Sequence, residues 1–288
     1  MSATAYSRLF WQGFTLGLRG FSGASIRAAG LKRSLGFFLQ PVENWSRYPE
    51  LTTVARCLGN LDKKKVLDLG SPKMLGLLLA QQYSADCLLT DIWDVAVKEV
   101  SPLCERNKAV LRGSIALSTA DLTQLPQQMK SQFDVVYSVS VVEHIADTHA
   151  IKQGLTEMGR VCRQGGKVVV SVPIRKTYFA QYFESAVYGQ DTEAGKVFFS
   201  HYFDATKARE IFGAAPSLTL EKAYVSTWKL EHPLLKFWCS VPPKIRGLFG
   251  FVNMLIAPKV TELQDIGSSL DSCTFPDHGD LILEYRKV

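Results

Sequence analysis

The chain has 288 residues, 47% hydrophobic and 21% charged, enough apolar material for the core of one α/β domain or two small ones and too much for a disordered segment. No apolar run approaches the roughly 20 residues that a bilayer-spanning helix needs, which excludes such a helix; the run at 248–257 is broken by Gly250 and Asn253. Six scattered cysteines with no CxxC pair argue against a disulfide framework or a zinc ribbon and favour a reducing, cytoplasmic setting.

The net charge of +6 is unevenly spread. Residues 1–42 hold Arg8, Arg19, Arg27, Lys32 and Arg33 and no acid, and residues 225–260 hold five basic residues against Glu231 alone, so the rest of the chain is mildly acidic. Both basic segments are also rich in Phe, Trp and Leu. Basic and apolar together suggest an anionic membrane surface or a greasy substrate mouth more than a nucleic-acid groove. The plain alternative is a pair of amphipathic segments whose Lys and Arg face water. Residues 1–40 also fit an organelle transit peptide, but not a secretory signal, because charges recur and no continuous apolar stretch follows them.

In chain order, residues 10–38 read as short helical pieces. Pro49 suits the first turn of a helix running to about Gly59. Val66-Leu67-Asp68-Leu69 is a short buried strand ending at Gly70, and Ser71-Pro72 then predicts an N-cap and first-turn proline for a helix over 74–82. Strands follow at 86–90, ending at Asp91, and at 114–118, followed by Asp121. A fourth strand spans 133–139, a helix 148–162, and a fifth strand 167–172 after the turn Gln164-Gly165-Gly166. This alternation predicts a parallel sheet covered on both faces. His201-Tyr202-Phe203-Asp204 precedes a helix that Asp204 would cap. Long strands are expected at 218–230 and 280–287, with a mostly helical stretch, 231–277, between them.

Ligands of doubly wound sheets bind beyond the carboxyl ends of the strands, where Asp68, Asp91, Asp121 and Ser138 would lie. The turn after the first strand reads Gly70-Ser71-Pro72-Lys73-Met74-Leu75-Gly76. It lacks the GxGxxG spacing that a dinucleotide pyrophosphate needs, and no Walker-type loop is present. A nucleoside ligand without phosphates needs only a tight turn, a helix N-terminus and a carboxylate for its ribose.

From Val66 to Pro173 the sequence resembles the class I S-adenosylmethionine-dependent methyltransferases, in particular their small-molecule branch. The resemblance rests on five ordered motifs: Val66-Leu67-Asp68-Leu69-Gly70-Ser71; Leu89-Thr90-Asp91-Ile92; Ala120-Asp121-Leu122; Phe133-Asp134 through Glu143-His144-Ile145; and Leu155-Thr156-Glu157-Met158 through Gly165-Gly166 to Pro173. The first motif departs from the family in lacking its second and third glycines. The resemblance implies S-adenosylmethionine as cofactor, with Asp68, Gly70, Ser71, Asp91, Ile92, Asp121, Leu122 and Ser138 around it. Asp91 would take the ribose diol, and the Asp121 segment the adenine amino group. It also implies a Rossmann-like, doubly wound seven-stranded α/β sheet with the last strand antiparallel between the fifth and sixth. The methyltransferase domain would span 46–288, after a basic N-terminal extension, 1–45.

His144 is the candidate catalytic base, since imidazole titrates near neutrality; the competing role is to fix the loop after the fourth strand. Glu143, His144 and His149 lack the spacing of a zinc motif, so no metal is expected. No Asn/Asp-Pro-Pro-aromatic stretch follows the fourth strand, which argues against methylation of exocyclic amines, and no Pro-Cys pair offers a thiol nucleophile. A hydrophobic small-molecule or lipid-like acceptor is expected, by default at oxygen, with 234–256 lining its pocket. A cytoplasmic protein, peripheral at a membrane, would fit, with organelle targeting left open. The alternative is a methyltransferase fold that binds or scaffolds without turnover.

Overall fold

The computed structural model describes residues 3–185, 196–271 and 273–288; Met1 and Ser2 of the expected extension lie outside these. The N-terminal segment forms two long helices, α1 (Ala3–Gly20) and α2 (Gly23–Leu39), rather than short pieces. Ser22 caps α2 by accepting from the Ser25 amide, and a kink at Gly30 is the irregularity visible in the sequence. Gly17 lets the two helices touch: a Cβ there would stand 2.2 Å from the Phe37 carbonyl oxygen.

After α3 (Arg47–Leu58) the alternating part begins with β1 (Lys65–Leu69), α4 (Lys73–Gln82), β2 (Asp86–Asp91), α5 (Asp94–Asn107) and β3 (Ser114–Thr119). It continues with β4 (Phe133–Val139), α6 (Thr148–Val161) and β5 (Cys162–Ile174). A hairpin, β6 (Phe179–Phe183) and β7 (Val197–Tyr202), precedes α7 (Ala205–Phe212) and β8 (Leu218–Trp228). Three short helices, α8 (Pro233–Ser240), α9 (Pro243–Leu248) and α10 (Phe251–Val260), lead to β9 (Thr261–Gly267) and β10 (Gly279–Lys287).

The main sheet has the order β3-β2-β1-β4-β5-β10-β8-β9, with β10 antiparallel between β5 and β8. It has eight strands where seven were expected. The extra one is β9, drawn from the stretch expected to be mostly helical; it pairs antiparallel with β8, Val225 opposite Gln264 and Thr227 opposite Glu262. Glu262 and Asp265 make it a charged edge strand, whose weak apolar alternation hid it in the sequence. One face of the sheet buries Leu67, Val136, Val168 and Leu283 beneath α6 and α7. The other buries Val66, Val135, Tyr137 and Ile282 beneath α1, α3, α4 and α10.

Helices α1 and α2 pack on α5, and α1 also touches α4 and α10. Leu16 packs with Leu77, Leu78, Val100 and Leu103 of α4 and α5. In the α8–α10 segment Leu235, Trp238, Ile256 and Val260 bury one another. Among the described residues no helix is long and apolar enough to cross a membrane.

Candidate cofactor and acceptor site

The carboxyl ends of β1, β2, β3 and β4 bring the predicted residues to one edge. Asp68 is fully buried at the end of β1; its Oδ1 accepts the Ser71 amide at 2.8 Å and its Oδ2 the Tyr137 hydroxyl at 3.0 Å. Burial pushes the Asp68 carboxyl up to about 6, against the opposing pull of Lys73 and these donors. Gly70 turns the chain with φ 77°, and a Cβ there would come within 2.8 Å of Val141 Cγ1, so both backbone shape and space call for glycine.

Ser71 does not cap α4 as its position suggested. Its Oγ accepts the Val139 amide at 2.9 Å, tying the β1 turn to β4, and Pro72 holds the cap position with no side-chain hydrogen bond. The first-turn amides of α4 are therefore left without a side-chain cap, the arrangement that suits a ligand carboxylate. Ser138, also buried, donates to the Leu69 carbonyl at 2.9 Å and links the same two strands.

Asp91 ends β2 with Oδ1 accepting the Trp93 amide at 3.1 Å and Oδ2 3.3 Å from Lys73 Nζ. Ile92 beside it is largely exposed. Past β3, Asp121 Oδ1 accepts from both the amide and the hydroxyl of Thr123, forming the turn, while Leu122 is buried against Gly154 of α6.

His144 closes a short 3₁₀ turn, Val142–His144, after β4. Its Nδ1 lies 2.6 Å from the Phe199 carbonyl on β7 and so donates to it, and burial holds its pKa below the usual imidazole value. On the same hairpin His201 reaches the Ile145 and Ala146 carbonyls through Nε2, and its Nδ1 lies 2.7 Å from the Tyr178 hydroxyl. The β6–β7 hairpin is thus clasped to the loop after β4. Asp204 caps α7 by accepting the Lys207 amide, as its position predicted.

Three acids that the sequence did not single out meet beside this loop. Glu50 of α3 is fully buried and bound by Ser140 Oγ, Ser171 Oγ and Arg47 at 2.6–2.7 Å. Asp280 of β10 accepts from Trp228 Nε1 at 3.1 Å, and burial raises its pKa well above the carboxylate range. Glu143, 3% exposed, has no hydrogen-bond partner for Oε2. Among the described residues no group of three or more His, Cys, Asp and Glu side chains is arranged to hold a metal ion. A charged residue inside an otherwise apolar pattern was the available sequence signal for Asp280, which precedes Leu281-Ile282-Leu283.

Residues 67–170 match the family described as Methyltransferase domain. This stretch is a methyltransferase domain. No curated protein sequence matches it. Among solved structures it is similar to a SAM-dependent methyltransferase from Methanosarcina mazei, at 12% identity and TM-score 0.52, covering 82% of this chain and 97% of that one. A geranyl diphosphate methyltransferase in complex with SAM is similar at 11% identity and TM-score 0.52, over 90% of this chain and 91% of that one. A coclaurine N-methyltransferase bound to N-methylheliamine and SAH has 14% identity and TM-score 0.52, over 82% and 69%. At such identities the likeness is one of fold. The cofactor that such a domain uses is S-adenosylmethionine. The donor set fits it: an edge carboxylate at Asp91, bare backbone at Gly70, and an α4 N-terminus free of side-chain caps.

Proposed function

We propose that the protein transfers a methyl group from S-adenosylmethionine to a hydroxyl of a hydrophobic, lipid-like acceptor gathered at an anionic membrane surface. In this reading Asp91 holds the ribose hydroxyls and Asp121 the adenine amino group, with Ile92 and Leu122 against the base. Gly70, Ser71 and the α4 N-terminus receive the methionine carboxylate, while Asp68 and Ser138 hold the turn in shape. When bound, the cofactor supplies an electrophilic sulfonium methyl; the protein orients the acceptor and excludes water. His144, committed through Nδ1 to Phe199, supports the loop that borders the acceptor.

The observation that carries the membrane part is the outward face of α8–α10. Phe237, Ile245, Leu248, Phe249, Phe251 and Leu255 are all exposed, against the expectation that such residues line a pocket. Lys236, Lys244 and Arg246 accompany them, and α10 packs on α1, whose Trp11 and Leu18 are exposed as well. Monomeric soluble proteins rarely present so many large apolar side chains on adjoining helices, and a basic rim suits anionic headgroups. Co-sedimentation of the full chain with phosphatidylglycerol and with phosphatidylcholine vesicles tests this. Binding to the first alone, weakened by salt, is expected; no binding to either defeats the membrane reading. Labelled S-adenosylmethionine with a lipid extract dispersed in the same vesicles tests the transfer, which should place label in the organic phase.

A further inference from the structure

We infer that the buried carboxylates at the ends of β4 and β10 form the acceptor end of the site, where Glu143 takes the proton of the hydroxyl being methylated. The inference rests on the hydroxyl reading above and deepens it. Its first support is position. Glu143 stands two residues beyond Val141, whose side chain packs over the place a Cβ would take at Gly70, so it adjoins the turn assigned to the cofactor. Its second is an imbalance of charge. Burial, with Glu50 close by, raises the pKa of both Glu143 and Asp280, and Arg47 is the cation that opposes the rise at both. Arg47 is itself engaged with Glu50 at 2.7 Å. Glu50 is bound by three donors and Asp280 by Trp228 Nε1, whereas Glu143 Oε2 has no hydrogen-bond partner.

The third support is independent of the acids. Ser226 of β8 stands directly opposite Asp280 in the antiparallel register, so the two project from one face of the sheet, and Trp228 Nε1 reaches Asp280 from that face. Ser226 Oγ is fully buried and has no hydrogen-bond partner. An orphaned hydroxyl opposite Asp280, with Glu143 Oε2 orphaned at the same sheet edge, marks a place that a polar ligand group would satisfy. A hydroxyl suits Glu143 Oε2 in either state, donating to it when the carboxyl is ionised and accepting from it when the carboxyl is protonated.

The step balances with these residues. The acceptor O–H bond breaks and its proton passes to Glu143 Oε2. The oxygen lone pair forms the new O–CH₃ bond, and the S–CH₃ pair returns to sulfur, converting the sulfonium to a neutral thioether. Glu143 then loses the proton to solvent. Burial lifts the Glu143 carboxyl to about 8, so the ionised form that accepts the proton is a stronger base than an ordinary glutamate, and its share grows as pH rises toward that value. The charged or titratable groups facing it are Arg47 and Glu50 from α3, Asp280 from β10, Tyr202 from β7 and His144 beside it.

Two measurements on the full-length protein test this. Infrared difference spectra between wild type and Glu143→Gln should contain a protonated carboxyl band that disappears as pH rises through about 8. Absence of any such band overturns the assignment. With labelled S-adenosylmethionine and the vesicle-dispersed lipid extract, Glu143→Gln should transfer at least a hundredfold more slowly, with cofactor Kd within twofold and circular dichroism unchanged. Glu143→Asp should recover part of the rate. Glu143→Gln within threefold of wild type overturns the inference while leaving the transfer reading intact. A wild-type chain that binds cofactor but labels no extract component overturns both.

Discussion

Lys73 Nζ lies 3.3 Å from the Asp91 carboxylate, in the mouth of the edge assigned to the cofactor. The same ammonium donates to the Ser71 carbonyl at 2.8 Å and stands 4.0 Å from Asp68, so one cation spans the ends of β1 and β2. The glycine-poor first motif thereby gains a cation within 4.0 Å of both strand-end acids. A ribose approaching Asp91 must share Oδ2 with this lysine or displace it.

Asp91→Ala should therefore weaken S-adenosylmethionine binding. A hydrogen bond to a charged group is worth about 1.5–3 kcal/mol, so a loss of roughly tenfold to a hundredfold is expected in calorimetric titration. The chain should stay folded, because Asp91 sits at the edge of the sheet with part of its carboxylate in solvent. Unchanged affinity would move the ribose elsewhere. Lys73→Met, which removes the cation holding Asp68 down, should raise the Asp68 carboxyl above its present value of about 6, measurable by carboxyl NMR titration.

Gly70→Ala should destabilise the protein and impair cofactor binding together. A left-handed φ of 77° costs a non-glycine residue about 1–2 kcal/mol before any contact is counted. The added Cβ would also press on Val141 at 2.8 Å. A fall in Tm of several degrees by calorimetry is expected, larger than for Gly165→Ala, where φ is also positive but no atom lies within 4 Å.

The buried acids set a pH dependence of stability. Asp68 and Glu143 hold their protons more tightly in the native chain than in the unfolded one, at about 6 and about 8. Where the native state binds more protons, stability falls as pH rises. The contribution is intact below about pH 4, and unfolding should become easier between there and pH 8. Glu143→Gln removes the upper part of that slope. Urea melts should show the variant close to wild type at pH 5 and more stable at pH 9, and parallel slopes would contradict this account.

Much of this edge was legible in the residues. Short apolar runs closed by Asp68-Leu69-Gly70, Asp91 and Asp121 mark strand ends, because only a buried parallel strand needs so compact a hydrophobic stretch. The Asp204 cap followed from its place before a helix. What escaped notice depends on contacts remote in sequence. Ser71 looks like an N-cap until the Val139 amide, 68 residues away, claims its hydroxyl. Glu50, Glu143 and Asp280 come from separate elements, and nothing local distinguishes a buried glutamate on α3 from a surface one. The β6–β7 hairpin and β9 carry too little alternation to separate from loop and helix, and their pairing is decided by the clasp to β4 and by the β8 edge.

The apolar face of α8–α10 yields the last prediction. Phe237 and Leu248 are 69% and 58% exposed, so neither contributes much to the folded core. Fully burying such a side chain is worth about 1.5–3 kcal/mol, and inserting the exposed portion of each into an interface recovers about half of that. Phe237→Ser combined with Leu248→Ser should then weaken partitioning onto phosphatidylglycerol vesicles by about 2 kcal/mol, on the order of 30-fold. Thermal stability in the absence of vesicles should not fall. Lys244→Glu with Arg246→Glu should act differently, lowering affinity most at low salt and little at high salt, because electrostatic attraction to headgroups is screened within a Debye length. A double serine variant that binds vesicles as wild type does, with an unchanged salt dependence for the charge reversal, would show that this face serves another surface.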